Sequence, residues 1–143
     1  MIPERYFIDT SYIYALLNKK DKFHSAARTL TGTFHPQDRF VISDTVILEA
    51  CSLLAGTKAR KHIVAFVNEI TINKHYTILH TDADLFRRAF QLYEEYDDKE
   101  WSLVDCTSFL IMKKEKIRFA LTADSHFEQF GYIAVLRHPE YFV

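Results

Sequence analysis

The chain has 143 residues, of which 48% are hydrophobic and 26% are charged, and its formal net charge at pH 7 is −1. This length and balance predict one globular domain, residues 1–143, with a real hydrophobic core, and they exclude a disordered chain. The near-neutral charge excludes a globally basic nucleic-acid-binding protein, so an RNA partner would have to meet local groups of cations.

Basic residues cluster at three places that are candidates for such contacts. Charge runs are more often solvated helix faces, so each cluster alone is weak evidence. The clusters are Lys19, Lys20 and Lys22; Lys58, Arg60 and Lys61; and Lys113, Lys114, Lys116 and Arg118.

The sequence shows no sign of a membrane or of an oxidising compartment. No apolar run approaches the roughly 18 residues that a spanning helix needs, and no signal peptide precedes the first predicted strand. Cys51 and Cys106 lack metal-ligand spacing and are expected to be small buried residues. We therefore expect a cytoplasmic protein without a membrane partner.

Short apolar strands alternate with helical patterns along the chain. Strands are predicted, in chain order, at residues 6–8, 40–42, 76–79, 119–121 and 133–136. Helices are predicted between them, at residues 12–17, 21–30, 44–56, 58–70, 82–96, 103–114 and 125–130. The expected N-caps are Thr10 or Ser11, Asp21, Ser43 or Asp44, Thr81 or Asp82, and Ser102.

This alternation indicates an α/β fold with a mainly parallel sheet of four to five short strands and right-handed crossovers. The strands are apolar throughout, as expected when helices cover both faces of a sheet.

Four carboxylates are predicted to meet at one edge of that sheet. Asp9 follows the first strand and Asp124 follows the fourth. Glu49 lies just over one turn into the helix after the second strand, and Asp105 lies in the first turn of the helix before the fourth. Functional groups in open parallel sheets gather beyond the carboxyl ends of the strands, so all four can reach one place.

Carboxylates gathered at one place repel each other unless a cation neutralises them. Mg²⁺ or Mn²⁺ suits such a group, because hard divalent ions prefer oxygen ligands and retain water. Ions held in this way can activate water for an in-line displacement at a phosphodiester. The spacing therefore indicates a divalent-metal site.

Structural roles also explain these acids. Ser102 and Asp105 have the spacing of a capping box, and Asp9 and Asp124 can cap the helices that follow them. Glu49 is harder to explain structurally, because an unpaired carboxylate in an apolar helix is costly to bury. Spacing alone leaves the metal site and the capping roles equally open.

Residues 7–11, with residues 15–17 and 24–27, resemble the opening of PIN-domain proteins. Leu48 and Glu49 match their second acid. Residues 98–109, from Asp98 to Phe109, look like the third-acid motif of the VapC-like branch, and residues 121–132 look like its closing motif. The resemblance covers nearly the whole chain in the right order.

The resemblance implies a PIN-like three-layer α/β/α fold and a Mg²⁺- or Mn²⁺-dependent endoribonuclease. Such proteins commonly act as the toxin of a toxin–antitoxin pair, so it also implies an RNA substrate, a small antitoxin and a homodimer. It assigns catalysis and metal binding to Asp9, Glu49, Asp105 and Asp124. It implies supporting roles for Thr10, Ser11, Asp98 and Thr122.

Other conspicuous residues are predicted to be structural. His126 has Phe127 and Phe130 as neighbours, which favours a packing role. Trp101 is expected to anchor the start of the helix at Ser102, and His24 to tie two helices together. Dimerisation is expected through the apolar helices at residues 46–54 and 63–70.

Two other functions compete with the ribonuclease. One is a non-catalytic PIN-like module that binds RNA or protein, for which Tyr93 and Tyr96 offer aromatic surface. The other is a phosphotransfer enzyme similar to haloacid dehalogenases, with Asp9 as nucleophile. That chemistry needs a second Asp two residues further on, where this chain has Ser11.

Overall fold

The computed structural model of the chain describes residues 2–143, and its centre is a five-stranded sheet. Every neighbouring pair of strands is parallel, and the strand order is β3-β2-β1-β4-β5. The strands are β1 (Arg5–Ile8), β2 (Arg39–Ser43), β3 (Tyr76–Leu79), β4 (Phe119–Leu121) and β5 (Ile133–Ala134). The predicted α/β class with a parallel sheet is confirmed.

Seven α-helices connect the strands within the described residues, as the crossover connections of a parallel sheet require. The helices are α1 (Thr10–Leu17), α2 (His24–Gly32), α3 (Asp44–Leu54), α4 (Arg60–Ile72), α5 (Ala83–Glu95), α6 (Leu103–Glu115) and α7 (His126–Gln129). None of the helices in the described part of the chain is long and apolar enough to cross a membrane.

The middle strands form the core because their side chains are covered on both faces. Phe7 and Ile8 of β1, Ile42 of β2 and Leu121 of β4 are at most 1% exposed. β3 lies at the edge of the sheet, and its side chains are only half-buried or exposed. An all-parallel sheet needs this covering, since the strands have no polar face to turn to water.

The strand order reverses direction between β1 and β4, and this junction positions the candidate site. Ile8 is in register with Leu121, and the backbone N–H of Asp9 donates a 3.2 Å hydrogen bond to the carbonyl of Leu121. Asp9 and Thr122, the first residues beyond the two strands, therefore lie side by side. Open α/β sheets bind their ligands at such a reversal, beyond the carboxyl ends of the strands.

The helix starts agree with the predicted caps in three cases and differ in two. Ser43, Asp82 and Ser102 cap α3, α5 and α6. The N-cap of α1 is Asp9 rather than Thr10 or Ser11, because its carboxylate accepts the N–H of Ser11.

Asp21 does not cap α2, which begins at His24. Its carboxylate instead accepts a 2.9 Å hydrogen bond from the N–H of Phe23, which closes a turn ahead of the helix. The predicted helix start at residue 21 is therefore wrong by three residues.

The last strand is shorter than predicted. Val135 and Leu136 belong to a 3₁₀ turn, and only Ile133 and Ala134 pair with β4. The chain turns because the N–H of Leu136 donates to the carbonyl of Thr122, beyond the end of β4. Both residues are buried, so the apolar pattern marked the core and not a strand.

Candidate metal-binding active site

A pocket of about 640 Å³ opens at the carboxyl edge of the sheet, at the junction of β1 and β4. Its lining includes the four predicted acids and several neighbours on α1, α3, α6 and α7. The acidic residues in the lining are Asp9, Asp21, Glu49, Glu100, Asp105 and Asp124. Lys22 is the one lysine or arginine among these lining residues.

Asp9 lies at the bottom of this pocket and is 4% exposed. Its Oδ2 accepts hydrogen bonds from the Ser11 N–H at 3.3 Å, the Ser11 hydroxyl at 3.1 Å and the Thr122 hydroxyl at 2.7 Å. Burial raises the pKa of Asp9 from 3.8 to about 7, the Thr122 hydrogen bond opposes that rise, and the nearby charge of Asp105 adds to it. The carboxyl of Asp9 therefore keeps a proton more readily than an exposed aspartate does.

Asp105 lies in the first turn of α6 and is held there by a capping box. The Ser102 hydroxyl accepts the Asp105 N–H at 3.0 Å, and Asp105 Oδ2 accepts the Ser102 N–H at 3.1 Å. Burial raises the pKa of Asp105 as well, while its hydrogen bonds from Ser102 and His126 oppose the rise. The same carboxylate therefore caps α6 and lines the pocket.

Asp124 and His126 bring two further ligand groups to Asp105. Nδ1 of His126 lies 3.0 Å from Oδ2 of Asp105 and 3.3 Å from Oδ1 of Asp124. One ligand atom from each of the three residues lies within 4.8 Å of the others, a spacing that a single metal ion can bridge. This is the tightest group of candidate ligands in the described part of the chain.

His126 is a site residue that sequence reasoning assigned to packing. Its neighbour Phe127 is fully buried, as predicted, but His126 itself lines the acidic pocket. The one usable signal was its position two residues after Asp124, because the Asp124 carboxylate accepts the His126 N–H at 2.9 Å. This turn places the side chains of Asp124 and His126 in the same pocket.

The remaining predicted acid, Thr10 and Ser11 also line the pocket, whereas Thr122 is fully buried and reaches it through Asp9. Glu49 is half-buried on α3 and lines the pocket, with no hydrogen-bond partner among the described side chains. The Ser11 hydroxyl lies 2.8 Å from that of Thr122 and accepts the Ala123 N–H. Thr10 is buried, and its hydroxyl has no hydrogen-bond partner within residues 2–143.

Asp98 is not brought to this pocket. It is exposed in the loop before α6, where its carboxylate lies 3.3 Å from the Lys99 ammonium. Glu100, two residues later, lines the pocket instead and was missed, because nothing in an irregular loop says which of several acids turns inward.

Trp101 fulfils its predicted anchoring role at the start of α6. It is 5% exposed, packs edge-on against Phe109 at a ring distance of 5.2 Å, and donates its indole N–H to Gln129 at 2.8 Å. His24 likewise ties α2 to α1, because its Nδ1 lies 2.8 Å from the carbonyl of Ala15.

These residues suit a hard divalent cation. The donors are carboxylate oxygens on three different elements, two of them in contact with the His126 imidazole, and burial holds the pKa of Asp9 and Asp105 above their ordinary values. A cation held by Asp105 and Asp124 would oppose both the burial of Asp9 and the nearby charge of Asp105, and would so favour the ionised form of Asp9. The chemistry of the donor set therefore fits Mg²⁺ or Mn²⁺.

Comparison with known proteins identifies the family. The PIN-domain model matches residues 6–131, which is most of the chain. The chain belongs to the PIN-domain family. The alternative of a haloacid-dehalogenase-like enzyme is thereby excluded.

This PIN domain is similar to one toxin over nearly its whole length. It is 32% identical over 129 residues to the 23S rRNA-specific endonuclease VapC20 of Mycobacterium tuberculosis, in strains CDC 1551 / Oshkosh and ATCC 25618 / H37Rv. The match covers 90% of this chain and 96% of that protein. The predicted membership of the VapC-like ribonuclease branch is confirmed.

Two solved structures share the fold. The crystal structure of M. tuberculosis VapC20, described as a Sarcin-Ricin loop cleaving toxin, matches with a TM-score of 0.80 and 30% identity, over 90% of this chain and 97% of that one. VapBC2 from Rickettsia felis, bound to a DNA fragment from its promoter, matches with a TM-score of 0.59. Its identity is 14%, with 89% of this chain and 93% of that one covered, so it supports the fold alone.

Proposed function

We propose that this PIN domain is a metal-dependent endoribonuclease that hydrolyses phosphodiester bonds in RNA. The observation that carries the proposal is the group formed by Asp105, Asp124 and His126, within 4.8 Å of one another in the pocket that Asp9 also lines. Bound Mg²⁺ or Mn²⁺ supplies an activated water and charge neutralisation at the scissile phosphate.

The protein's own residues hold and orient the metal-binding groups. Asp105 and Asp124 would hold the cation, and Asp9 and Glu49 are further acids of the same pocket. Thr122 and Ser11 fix Asp9 through hydrogen bonds to one carboxylate oxygen, Oδ2, so that the carboxylate would be oriented before a metal ion binds. His126 orients Asp105 and Asp124 relative to each other by contacting both carboxylates.

The substrate we propose is ribosomal RNA presented as a loop. The M. tuberculosis relative is named for cleavage of 23S rRNA, and its crystal structure for cleavage of the sarcin–ricin loop. A loop can present unpaired, splayed nucleotides to a pocket of about 640 Å³, and single-stranded loops are the usual targets of sequence-specific RNA recognition. A ribosomal substrate agrees with the predicted cytoplasmic location.

Cleavage of an end-labelled sarcin–ricin stem–loop tests this proposal. Purified protein with Mg²⁺ or Mn²⁺ is expected to cut the loop at a defined phosphate, and EDTA or Asp124→Asn to abolish the cut. Cleavage that persists in EDTA or in Asp124→Asn would contradict it. RNA binding without cleavage in either metal would instead favour the non-catalytic module.

We further propose two protein partners for this domain. A small antitoxin would cover the acidic pocket by offering an arginine to its carboxylates, because the fork of a guanidinium pairs two oxygens at once. A second copy of the chain would pack on α3 and α4, where Leu48 is 66% and Val64 is 52% exposed. A monomeric mass by light scattering at micromolar concentration would contradict the dimer.

A further inference from the structure

A second cavity, of about 450 Å³, adjoins the acidic pocket and has the opposite charge. It lies between the connection from α1 to α2 and the connection from α3 to α4, and Tyr14 lines both cavities. We call it the basic cleft, and its cationic residues are Lys19, Lys20 and Lys58. None of the residues that line it is an aspartate or a glutamate.

Two of the basic clusters that the sequence offered as weak candidates meet in this cleft. Lys19 and Lys20 come from the first cluster and Lys58 from the second, 38 positions further on. None of the three ammonium groups has a carboxylate within 4.0 Å in the part of the chain that the structure describes, residues 2–143. Solvated surface lysines need no common location, so the convergence itself requires an explanation.

Hydrogen-bonded turns fix the backbone that carries these lysines. On one side, Asn18 Oδ1 accepts the N–H of Lys20 at 3.1 Å. On the other, the Thr57 hydroxyl accepts the N–H of Ala59 at 3.1 Å and donates to the carbonyl of Leu54 at 2.8 Å. The two rims of the cleft are therefore positioned before a ligand arrives, which reduces the entropy that binding must offset.

A third contact directs the charge toward the acidic pocket. Lys22 lies on the rim of that pocket, and its ammonium lies 5.2 Å from the ring centre of Phe23. This cation–π contact restrains a side chain that is otherwise free in solvent. Cations thus continue from the basic cleft around Tyr14 to the edge of the carboxylates.

We propose that the basic cleft binds the RNA backbone beside the scissile phosphate, with Tyr14 supporting the intervening nucleotide. The proposal rests on the proposed ribonuclease function. One strand can contact both cavities, because each phosphate is followed by a nucleoside whose base face can stack on the tyrosine ring or on the aliphatic floor formed by Leu17 and Leu54. An acidic protein segment would also meet the lysines, but its carboxylates carry no flat ring for Tyr14 and the aliphatic floor to contact.

The test compares two triple variants that remove the same charge. Lys19→Gln/Lys20→Gln/Lys58→Gln removes the cleft lysines. Lys74→Gln/Lys113→Gln/Lys114→Gln removes three exposed lysines near the C-terminal ends of α4 and α6. Both helices have 13 residues and are therefore about 20 Å long. Both are made in the Asp124→Asn background to prevent cleavage, and thermal melting checks that each folds. The single variant Lys58→Gln repeats the test if the cleft triple variant does not fold.

Binding is measured by fluorescence anisotropy of a labelled sarcin–ricin stem–loop over a series of salt concentrations. The cleft variant is expected to lower the slope of log K against log[salt] by about 2, because each single-strand phosphate contact contributes about 0.7. The control variant is expected to keep the slope of the parent. An equal decrease of the salt slope in both variants, or an unchanged slope in the cleft variant, would overturn the proposal.

Kinetics separate this proposal from the ribonuclease function itself. With Asp124 restored, the cleft variant is expected to raise KM while kcat stays within about twofold, as for loss of uniform binding. If the cleft variant cleaves with the KM and the salt slope of the parent, the proposed role of the basic cleft is wrong, and the ribonuclease function is unaffected. Absence of cleavage in the parent, with the predicted slopes, contradicts the ribonuclease and supports RNA binding at the cleft. Loss of binding to a poly-glutamate peptide, with RNA binding unchanged, would assign the cleft to an acidic protein.

Discussion

The hydroxyl of Thr122 donates a 2.7 Å hydrogen bond to Oδ2 of Asp9, across the junction between β4 and β1. Both residues are buried, and the same hydroxyl accepts the N–H of Asp124 at 3.0 Å. Thr122 therefore connects two of the proposed metal-binding acids through one oxygen atom. The parallel register of β1 and β4 makes this connection possible.

Replacing Thr122 with valine is expected to move the acidic limb of the pH–activity profile to higher pH. The hydrogen bond lowers the pKa of Asp9, and valine, of similar shape, cannot donate it. Thr122→Ser keeps the hydroxyl and should keep the profile. Initial cleavage rates from pH 5 to 9 give the measurement, and a Thr122→Val profile that coincides with that of the parent would contradict the proposed role.

Asp9→Asn is expected to stabilise the metal-free protein above neutral pH. The pKa of Asp9 is about 7 in the folded chain against 3.8 ordinarily, so its contribution to stability is fully present below pH 4 and is lost as the pH rises through 7. Asparagine removes that loss. The melting temperatures of parent and variant in EDTA should therefore diverge between pH 4 and 8.

The exposed Asp98→Asn variant controls for the general effect of removing a carboxylate. Its melting temperature relative to the parent should show no matching divergence. A second measurement adds Mg²⁺ at pH 7.5, where the parent should gain stability and Asp9→Asn should gain little. If the melting temperatures of the parent and of Asp9→Asn differ by the same amount at every pH, the pKa of Asp9 is not raised by burial.

Glu49→Gln should impair cleavage, whereas Asp98→Asn should leave it nearly unchanged. Glu49 lines the acidic pocket, and its loss should reduce kcat/KM by about 10- to 100-fold, as for removal of a group that supports a metal. Asp98 faces solvent beside Lys99, so its variant should cleave within about twofold of the parent. Equal activity of the two variants would exclude Glu49 from the site.

His126→Phe distinguishes orientation of the carboxylates from packing. Phenylalanine fills the same space but cannot contact Asp105 and Asp124, which lie 3.0 and 3.3 Å from the imidazole. We expect a melting temperature near that of the parent and a 10- to 100-fold weaker response to Mn²⁺, in the range typical of residues that orient metal ligands. Titration of Mn²⁺ by isothermal calorimetry measures this directly, and an unchanged affinity would restore the packing interpretation.

The sequence predicted the elements that carry the site because their signals were local. Phe119, Ala120 and Leu121 form an apolar run bounded by polar residues, and β4 covers the same three positions. Ser102 and Asp105 have the spacing of a reciprocal cap, and both hydrogen bonds are present. In each case a few adjacent residues determine the conformation.

The features that escaped prediction depend on direction in space. His126 was interpreted from its neighbours, but adjacent residues of a single helical turn point about 100° apart, so a buried Phe127 says little about it. Asp98 and Glu100 belong to the same loop, and only the structure decides which one turns to the pocket. The convergence of Lys19 and Lys58 required the tertiary fold for the same reason.

Three of the four acids also hold the backbone. Asp9 and Asp105 accept backbone N–H groups at the starts of α1 and α6, and Asp124 accepts that of His126. Glu49 makes no such bond within residues 2–143. Selection for folding alone would thus favour a side chain that accepts hydrogen bonds, Asp or Asn, at positions 9, 105 and 124 in a descendant that had ceased to be an enzyme. Glu49 would be the first of the four acids to be replaced, so the residue at position 49 indicates whether a related protein still needs the metal-binding site.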